Sequence, residues 1–198
     1  MRTGKKLAVL AVMTLVVAAC TTAADTTTTA GNGDGTTPSG GGGEVLAAVQ
    51  ARGSINCGVN NAVPGFGFVD ADGNHVGFDI DFCRALAAAV LGDAEAVEFV
   101  DLTAQQRFTA LQSGEVDVLI RNTTWTSSRD GTESATFVTT TFYDGQGMMV
   151  RTDSGFTSID DMTDTTICVL SGTTTELNLA TRMAGINYEP ATFEDNEQ

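Results

Sequence analysis

The chain has 198 residues, 10 Lys and Arg against 25 Asp and Glu, and a formal net charge of −15. That balance disfavours nucleic acid and anionic lipid surfaces as partners and favours a well-solvated exterior. One histidine, His75, cannot furnish a catalytic zinc site and argues against a Ser-His-Asp hydrolase.

Residues 1–20 have the layout of a bacterial export signal: Arg2, Lys5 and Lys6, an apolar run over 7–17, then Val17-Ala18-Ala19 before Cys20. A Cys directly after small residues resembles a bacterial lipobox, so 1–19 is the expected signal peptide and Cys20 the expected lipidation site. An ordinary membrane anchor is the alternative, but the run is shorter than the roughly 20 residues a spanning helix needs. Beyond Cys20 the cations are all Arg, seven against 25 acids, or −18. Residues 20–44 are mostly Thr, Gly and Ala, too poor in apolar groups to offset ordering entropy, and predict a flexible tether. A glycosylated threonine-rich stalk would serve the same mechanical role.

Val45, Leu46 and Val49 followed by Gly53 predict a short amphipathic helix leading into a strand at 55–59. Extended segments at 66–69 and 75–78 flank Asp70-Ala71-Asp72-Gly73-Asn74, a hairpin loop. A helix follows over 79–91, with Asp79 as cap and Gly92 as stop. A strand at 97–100, a helix at 104–113 capped by Thr103, and a strand at 116–120 complete an alternation that implies a largely parallel, helix-covered sheet. The fold class is α/β. Residues 142–151 read as an extended segment leaving this first lobe, set at 45–147. In 148–198 a second lobe begins, with a short helix at 157–162, a strand at 165–170 and a helix at 176–183. One strand cannot make a sheet, so the second lobe reads as truncated.

Three cysteines remain after Cys20. An exported protein oxidises thiols where geometry permits, and Cys57 on the first strand pairs best with Cys83 on the helix after the hairpin. The alternative is that all three are small buried hydrophobes. Cys168 is left over and suggests a partner outside this chain.

Among motifs, Asp70-x-Asp72-Gly73-Asn74 superficially opens a calcium loop. Its glycine is at the fourth rather than the sixth position, and a turn is preferred. Gly65-Phe66-Gly67 lacks the third glycine of a dinucleotide fingerprint. No metal and no cofactor is expected. The richest stretch is GEVDVLIRNTTWTSSRD, residues 114–130, where an apolar strand empties into Asn122, Thr123, Thr124 and Thr126 and then reaches Arg129. A polar pocket at a strand's carboxyl end, with a cation able to hold a carboxylate through two parallel bonds, points to ligand binding. The plain alternative is a surface arginine paired with Asp130. Trp125 reads as a core or pocket-wall residue. Ser171-Gly172-Thr173-Thr174-Thr175 between strand and helix suits an anion cradle and equally a cap in which Thr173 and Glu176 form a box.

GFDIDFCRALAAAVLG from 77, RFTALQSGEVDVLIRNTTWTSSRD from 107, FYDGQGMMV from 142 and ICVLSGTTTELNLA from 167 resemble the periplasmic solute-binding proteins of polar amino-acid ABC transporters, family 3, most closely the general L-amino-acid branch. The resemblance runs from Val45 onward. It implies a two-lobed, type II periplasmic-binding-protein-like α/β fold, here with an incomplete second lobe, closing on an L-amino acid that is passed to permease subunits. Carried over by position, Arg129 and Thr124 would hold the ligand α-carboxylate with the Thr174 amide beside Thr173, and the Asn122 carbonyl would hold the α-ammonium. Asn60 stands where many relatives have an acid, Val63 where many have an aromatic, and Leu170 where some have lysine. The resemblance also implies that Cys168 pairs beyond Gln198. Two rivals share the fold: a cyclohexadienyl-dehydratase-like enzyme and an amino-acid sensor ectodomain.

Overall fold

The computed structural model describes residues 42–133 and 135–195. The expected signal peptide, Cys20 and most of the expected tether lie outside them. Helix α1 spans Gly42–Arg52, so it starts within the residues expected to be tether. Of its expected apolar stripe only Val49 is buried, while Val45 and Leu46 remain 46% and 45% exposed.

Strand β1, Ile55–Val59, lies between β5, Val97–Asp101, and β6, Val118–Leu119, with both pairings parallel. A central parallel strand is covered on both faces, which explains the apolar run at 55, 57 and 59. Helix α2, Phe78–Leu91, packs on it through Ile80, Cys83 and Ala87, three positions on one helical face, all completely buried. Cys57 and Cys83 are joined by a disulfide across 26 residues of sequence. A closed loop of that length lowers the entropy of the unfolded chain by an amount worth about 3 to 4 kcal/mol.

Asp79 does not cap α2. The N-cap is Gly77 at φ 120°, where a Cβ would stand 2.2 Å from the Phe66 carbonyl oxygen, so only glycine fits the entry. Asp79 falls inside the first turn and is buried. Ahead of this helix, β3 (Gly67–Val69) and β4 (His75–Val76) form the expected antiparallel hairpin, and β2 (Ala62–Val63) adds an unexpected third strand. In its loop the Asp70 carboxylate accepts from the backbone N–H of Asp72 and Asn74 at 3.0 and 2.8 Å, a turn-closing role. Among the described residues no group of three potential metal ligands occurs. His75 stacks on Phe99 and meets Asp101 at 2.8 Å.

Helix α3 covers Arg107–Ser113, three residues later than expected. Thr103 accepts from Gln106 N at 3.3 Å while Gln106 Oε1 accepts from Thr103 N at 3.1 Å, and this reciprocal pair closes a separate turn before the helix. Strand β6 is shorter than 116–120, although Asp117 N and Ile120 N still donate to Asn56 and Gly58 carbonyls at 2.9 and 3.0 Å. A short helix α4, Ser127–Gly131, follows it.

Residues 142–151 have no regular secondary structure. The expected helix at 157–162 is a single 3-10 turn, Ile159–Asp161. Then come β7, Thr165–Leu170, helix α5, Thr174–Arg182, and β8, Tyr188–Phe193, which pairs in parallel with β7 from Thr165↔Tyr188 to Leu170↔Phe193. β8 corrects the expectation of a lone strand in this unit. Pro190 removes one donor, which an edge strand tolerates. Met162, Ile167, Val169, Leu179 and Met183 form this unit's core. The architecture is α/β throughout, and no helix among the described residues is long and apolar enough to cross a membrane.

Candidate ligand site

β1 and β6 are parallel neighbours, so their carboxyl ends emerge side by side and bring Asn60 to Asn122, the general location of ligand crevices in such sheets. Asn60, 5% exposed, donates from Nδ2 to Asn122 Oδ1 at 3.2 Å and accepts from Ala62 N at 2.8 Å. Arg121, also buried, donates from Nε and Nη2 to that same Oδ1 at 3.1 and 2.9 Å, and from Nη1 to the Leu102 carbonyl. The Asn122 backbone carbonyl accepts from Arg107 Nη1 at 3.2 Å.

Arg107 begins α3 and is 1% exposed. Its Nη2 donates to the Gly172 carbonyl at 3.3 Å, reaching the loop between β7 and α5. Burial pushes its pKa down to about 9, with Arg121 and Arg129 adding to the fall. Burial likewise brings Arg121 to about 10, opposed by the Asp79 carboxylate and helped by Arg129. Asp79 moves up through its own burial, with Arg121 opposing. Arginine keeps its proton at ordinary pH. The two arginine shifts therefore mark cations held where charge is costly, which favours an anionic group beside them.

Arg129 sits in α4, whose Thr126 cap accepts from Arg129 N at 3.3 Å. It is 8% exposed, donates from Nη1 to the Thr124 carbonyl at 2.8 Å, and lies over the Phe108 ring with its central carbon 5.3 Å from the centroid. Burial lowers its pKa and Glu133 opposes. Asp130 instead accepts from Phe137 N at 3.5 Å. Trp125 is 49% exposed and stacked on Phe137, so it is neither core nor free.

The Thr124 and Thr174 hydroxyls are hydrogen-bonded at 3.1 Å, and Gln105 Nε2 donates to Ser171 Oγ. Thr173 caps α5 by accepting from Glu176 N at 3.2 Å. The return half of the expected capping box shifts by one residue, because Glu176 Oε2 accepts from Gly172 N at 3.0 Å. One amide of the loop thus already serves an internal carboxylate. Gly172 has φ +71°, and a Cβ there would lie 3.0 Å from Gln105 Cγ; the loop and the start of α3 are in contact.

Asn60, Asn122, Thr124, Arg129, Thr173 and Thr174 thus come into one neighbourhood. A cavity of about 150 Å³ lies at its Asn60 end, lined by Asn60, Arg121, Leu170 and the acids Asp101, Glu194 and Asp195. Of the six, only Asn60 lines it; Asn122, Thr124, Arg129, Thr173 and Thr174 do not. Reading the sequence passed over Arg107 and Arg121. The available signal was a charge placed directly after an apolar strand, in LIRN, and another opening an apolar helix.

Residues 55–196 match the Bacterial extracellular solute-binding proteins, family 3. The chain is 50% identical over 152 residues to the General L-amino acid-binding periplasmic protein AapJ of Rhizobium johnstonii, covering 76% of this chain and 45% of that one. It is 49% identical over 152 residues to the Glutamate/glutamine/aspartate/asparagine-binding protein BztA of Rhodobacter capsulatus, with the same coverage of 76% and 45%. A solved ABC transporter periplasmic binding protein from Brucella ovis with glutathione bound superposes at TM-score 0.73 and 47% identity, covering 77% of this chain and 49% of the other. The chain spans about half the length of the curated relatives it matches.

Proposed function

The chain belongs to the bacterial extracellular solute-binding proteins, family 3, and from that premise we propose that it captures L-amino acids outside the cytoplasmic membrane and delivers them to the permease of an ABC transporter, as a binding protein rather than an enzyme. The observation that carries this reading is Arg129: a buried guanidinium beside Thr124, whose hydroxyl meets Thr174 of the second α/β unit at 3.1 Å. A carboxylate entering there would receive a bidentate cation and hydroxyls from two units. Thr173 caps the start of α5, where the Thr174 amide would add a backbone donor to the same carboxylate. The Asn122 carbonyl, with one lone pair engaged by Arg107, keeps a second for the ammonium, with Asn60 beside it.

Contacts between the units through Thr124, Gln105 and Arg107 support closure as the mechanism. A ligand touching both sides binds the closed state better and shifts the population toward it. We assign residues 1–19 to an export signal, 20–44 to a tether lipid-anchored through Cys20, 45–147 to the first lobe and 148–198 to the second. The start of α1 at Gly42 shortens the free part of that tether.

Thermal-shift titration with a panel of L-amino acids tests the function. Each charge-assisted bond contributes about 1.5 to 3 kcal/mol, so Arg129→Ala should weaken every ligand by at least about tenfold. Intact shifts in that variant would remove Arg129 as the carboxylate anchor.

A further inference from the structure

Arg107 and Arg129 are buried cations whose hydrogen bonds go to main-chain carbonyls, those of Asn122 and Gly172 for the first and of Thr124 for the second. Neither forms an ion pair with an acid among the described residues. A buried cation without a carboxylate needs another source of negative potential. The Phe108 ring supplies it to both: the central carbons of Arg107 and Arg129 lie 5.2 and 5.3 Å from its centroid, within cation–π reach.

Core packing does not account for this ring. Phe108 is half-buried and joins none of the hydrophobic clusters among the described residues, whereas Ala110 and Leu111 of the same helix pack with Leu102 and Val116. One helical turn on, Gln112 Nε2 donates to the Glu133 carbonyl at 2.7 Å. The Phe108 face of α3 is thereby tied to the chain just past α4, the element that carries Arg129. A ring rather than an acid at this place matters for the ligand. A protein carboxylate paired with Arg129 would occupy the donor edge that an incoming carboxylate needs. An aromatic face attracts the cation through its quadrupole and leaves that edge open. Of the five N–H donors of Arg129, one is engaged by a protein oxygen among the described residues.

We infer that Phe108 is a positioning residue for the carboxylate end of the ligand: its ring holds the Arg129 guanidinium without using the donors that bind, and joins it to Arg107, which reaches the second unit at the Gly172 carbonyl. The inference rests on the amino-acid-binding reading above and adds to it the group that orients the anchor. Every amino acid brings the same carboxylate, so Phe108 acts on all ligands alike and leaves side-chain preference untouched.

The test is calorimetric titration of the full-length protein with L-alanine, L-glutamine and L-glutamate, with mono-, di- and trifluorinated phenylalanine incorporated at position 108. Fluorine draws electron density from the ring face while changing its shape little. Affinity for all three ligands should therefore fall stepwise and in parallel, by about tenfold at the trifluorinated ring. Phe108→Leu, which removes the face, should lose at least as much, and Phe108→Tyr, which keeps it, should stay within about threefold of native. The fluorinated rings also serve if Phe108→Leu fails to fold. A merely structural role would lower the melting temperature of Phe108→Leu and leave affinity level across the fluorinated series, overturning the inference while sparing the general function. A fall confined to one ligand would overturn it too, because that would place Phe108 against a ligand side chain. Failure of the native protein to bind any of the three would sink both.

Discussion

In the sheet β5-β1-β6 the middle strand is covered on both sides and stapled to α2, with Cys57, Val59, Ile80 and Cys83 completely buried. β7 and β8, by contrast, pair only with each other among the described residues. Ile167 and Val169 remain 9% exposed, and Leu177 on α5 is 68% exposed. Two strands are marginal alone and depend on a covering helix, here α5 through Leu179 and the segment ending it through Met183. The stapled unit carries Arg129, Asn122 and Asn60, the lighter one Thr173 and Thr174; in the proposed closure it is the lighter unit that would approach and withdraw.

The sharpest way to break this comparison is at the cysteines. Replacing Cys57 and Cys83 together by Ala should cost about 2 to 5 kcal/mol in urea denaturation. Cys168, free and exposed on β7, should change stability by less than about 0.5 kcal/mol as Cys168→Ser. Equal losses would mean that the disulfide does not set the two units apart.

A smaller effect is expected at the helix start of the lighter unit. Thr173→Ala removes the hydroxyl that accepts from Glu176 N and should cost about 1 kcal/mol. Faster amide exchange should be confined to α5 and the 171–175 loop, leaving β1 protected. Loss of protection in both sheets would show that they unfold as one.

The smallest effect concerns pH. Asp79 is buried in the first turn of α2, and burial raises its pKa above 3.8. Between 3.8 and that raised value the folded state binds more protons than the unfolded one, so this group's contribution to stability falls as pH rises through the window. Asp79→Asn abolishes the fall. The difference in urea midpoint between variant and parent should therefore move in the variant's favour as pH increases from about 3.8. A constant difference across that range would mean that Asp79 titrates normally.

Legibility differed by element for physical reasons. β1 and β7 were readable because β-branched apolar runs bounded by turn residues have few other uses. β8 was not, since Pro190 and alternating polar residues suit an edge strand and a loop equally well. The start of α2 was misread because Asp79 is chemically a good cap, while the true entry depends on how close Gly77 comes to Phe66. At the site, Asn122, Thr124 and Arg129 were visible as a polar outflow from a strand. Arg107 and Arg121 were not, because whether a charge is buried depends on acceptors donated by Leu102 and Gly172, far away in the chain.

By itself, then, the order of residues determined the α/β alternation, the family membership and the short list of polar groups after β6, since periodicity and local chemistry are properties of neighbours in sequence. Which residues meet the Asn122 side chain, which carbonyls Arg107 joins and where the cavity opens were decided by tertiary structure. Those features arise from hydrogen-bond partners 15 to 65 residues apart, and no local pattern encodes a partner that only folding brings near.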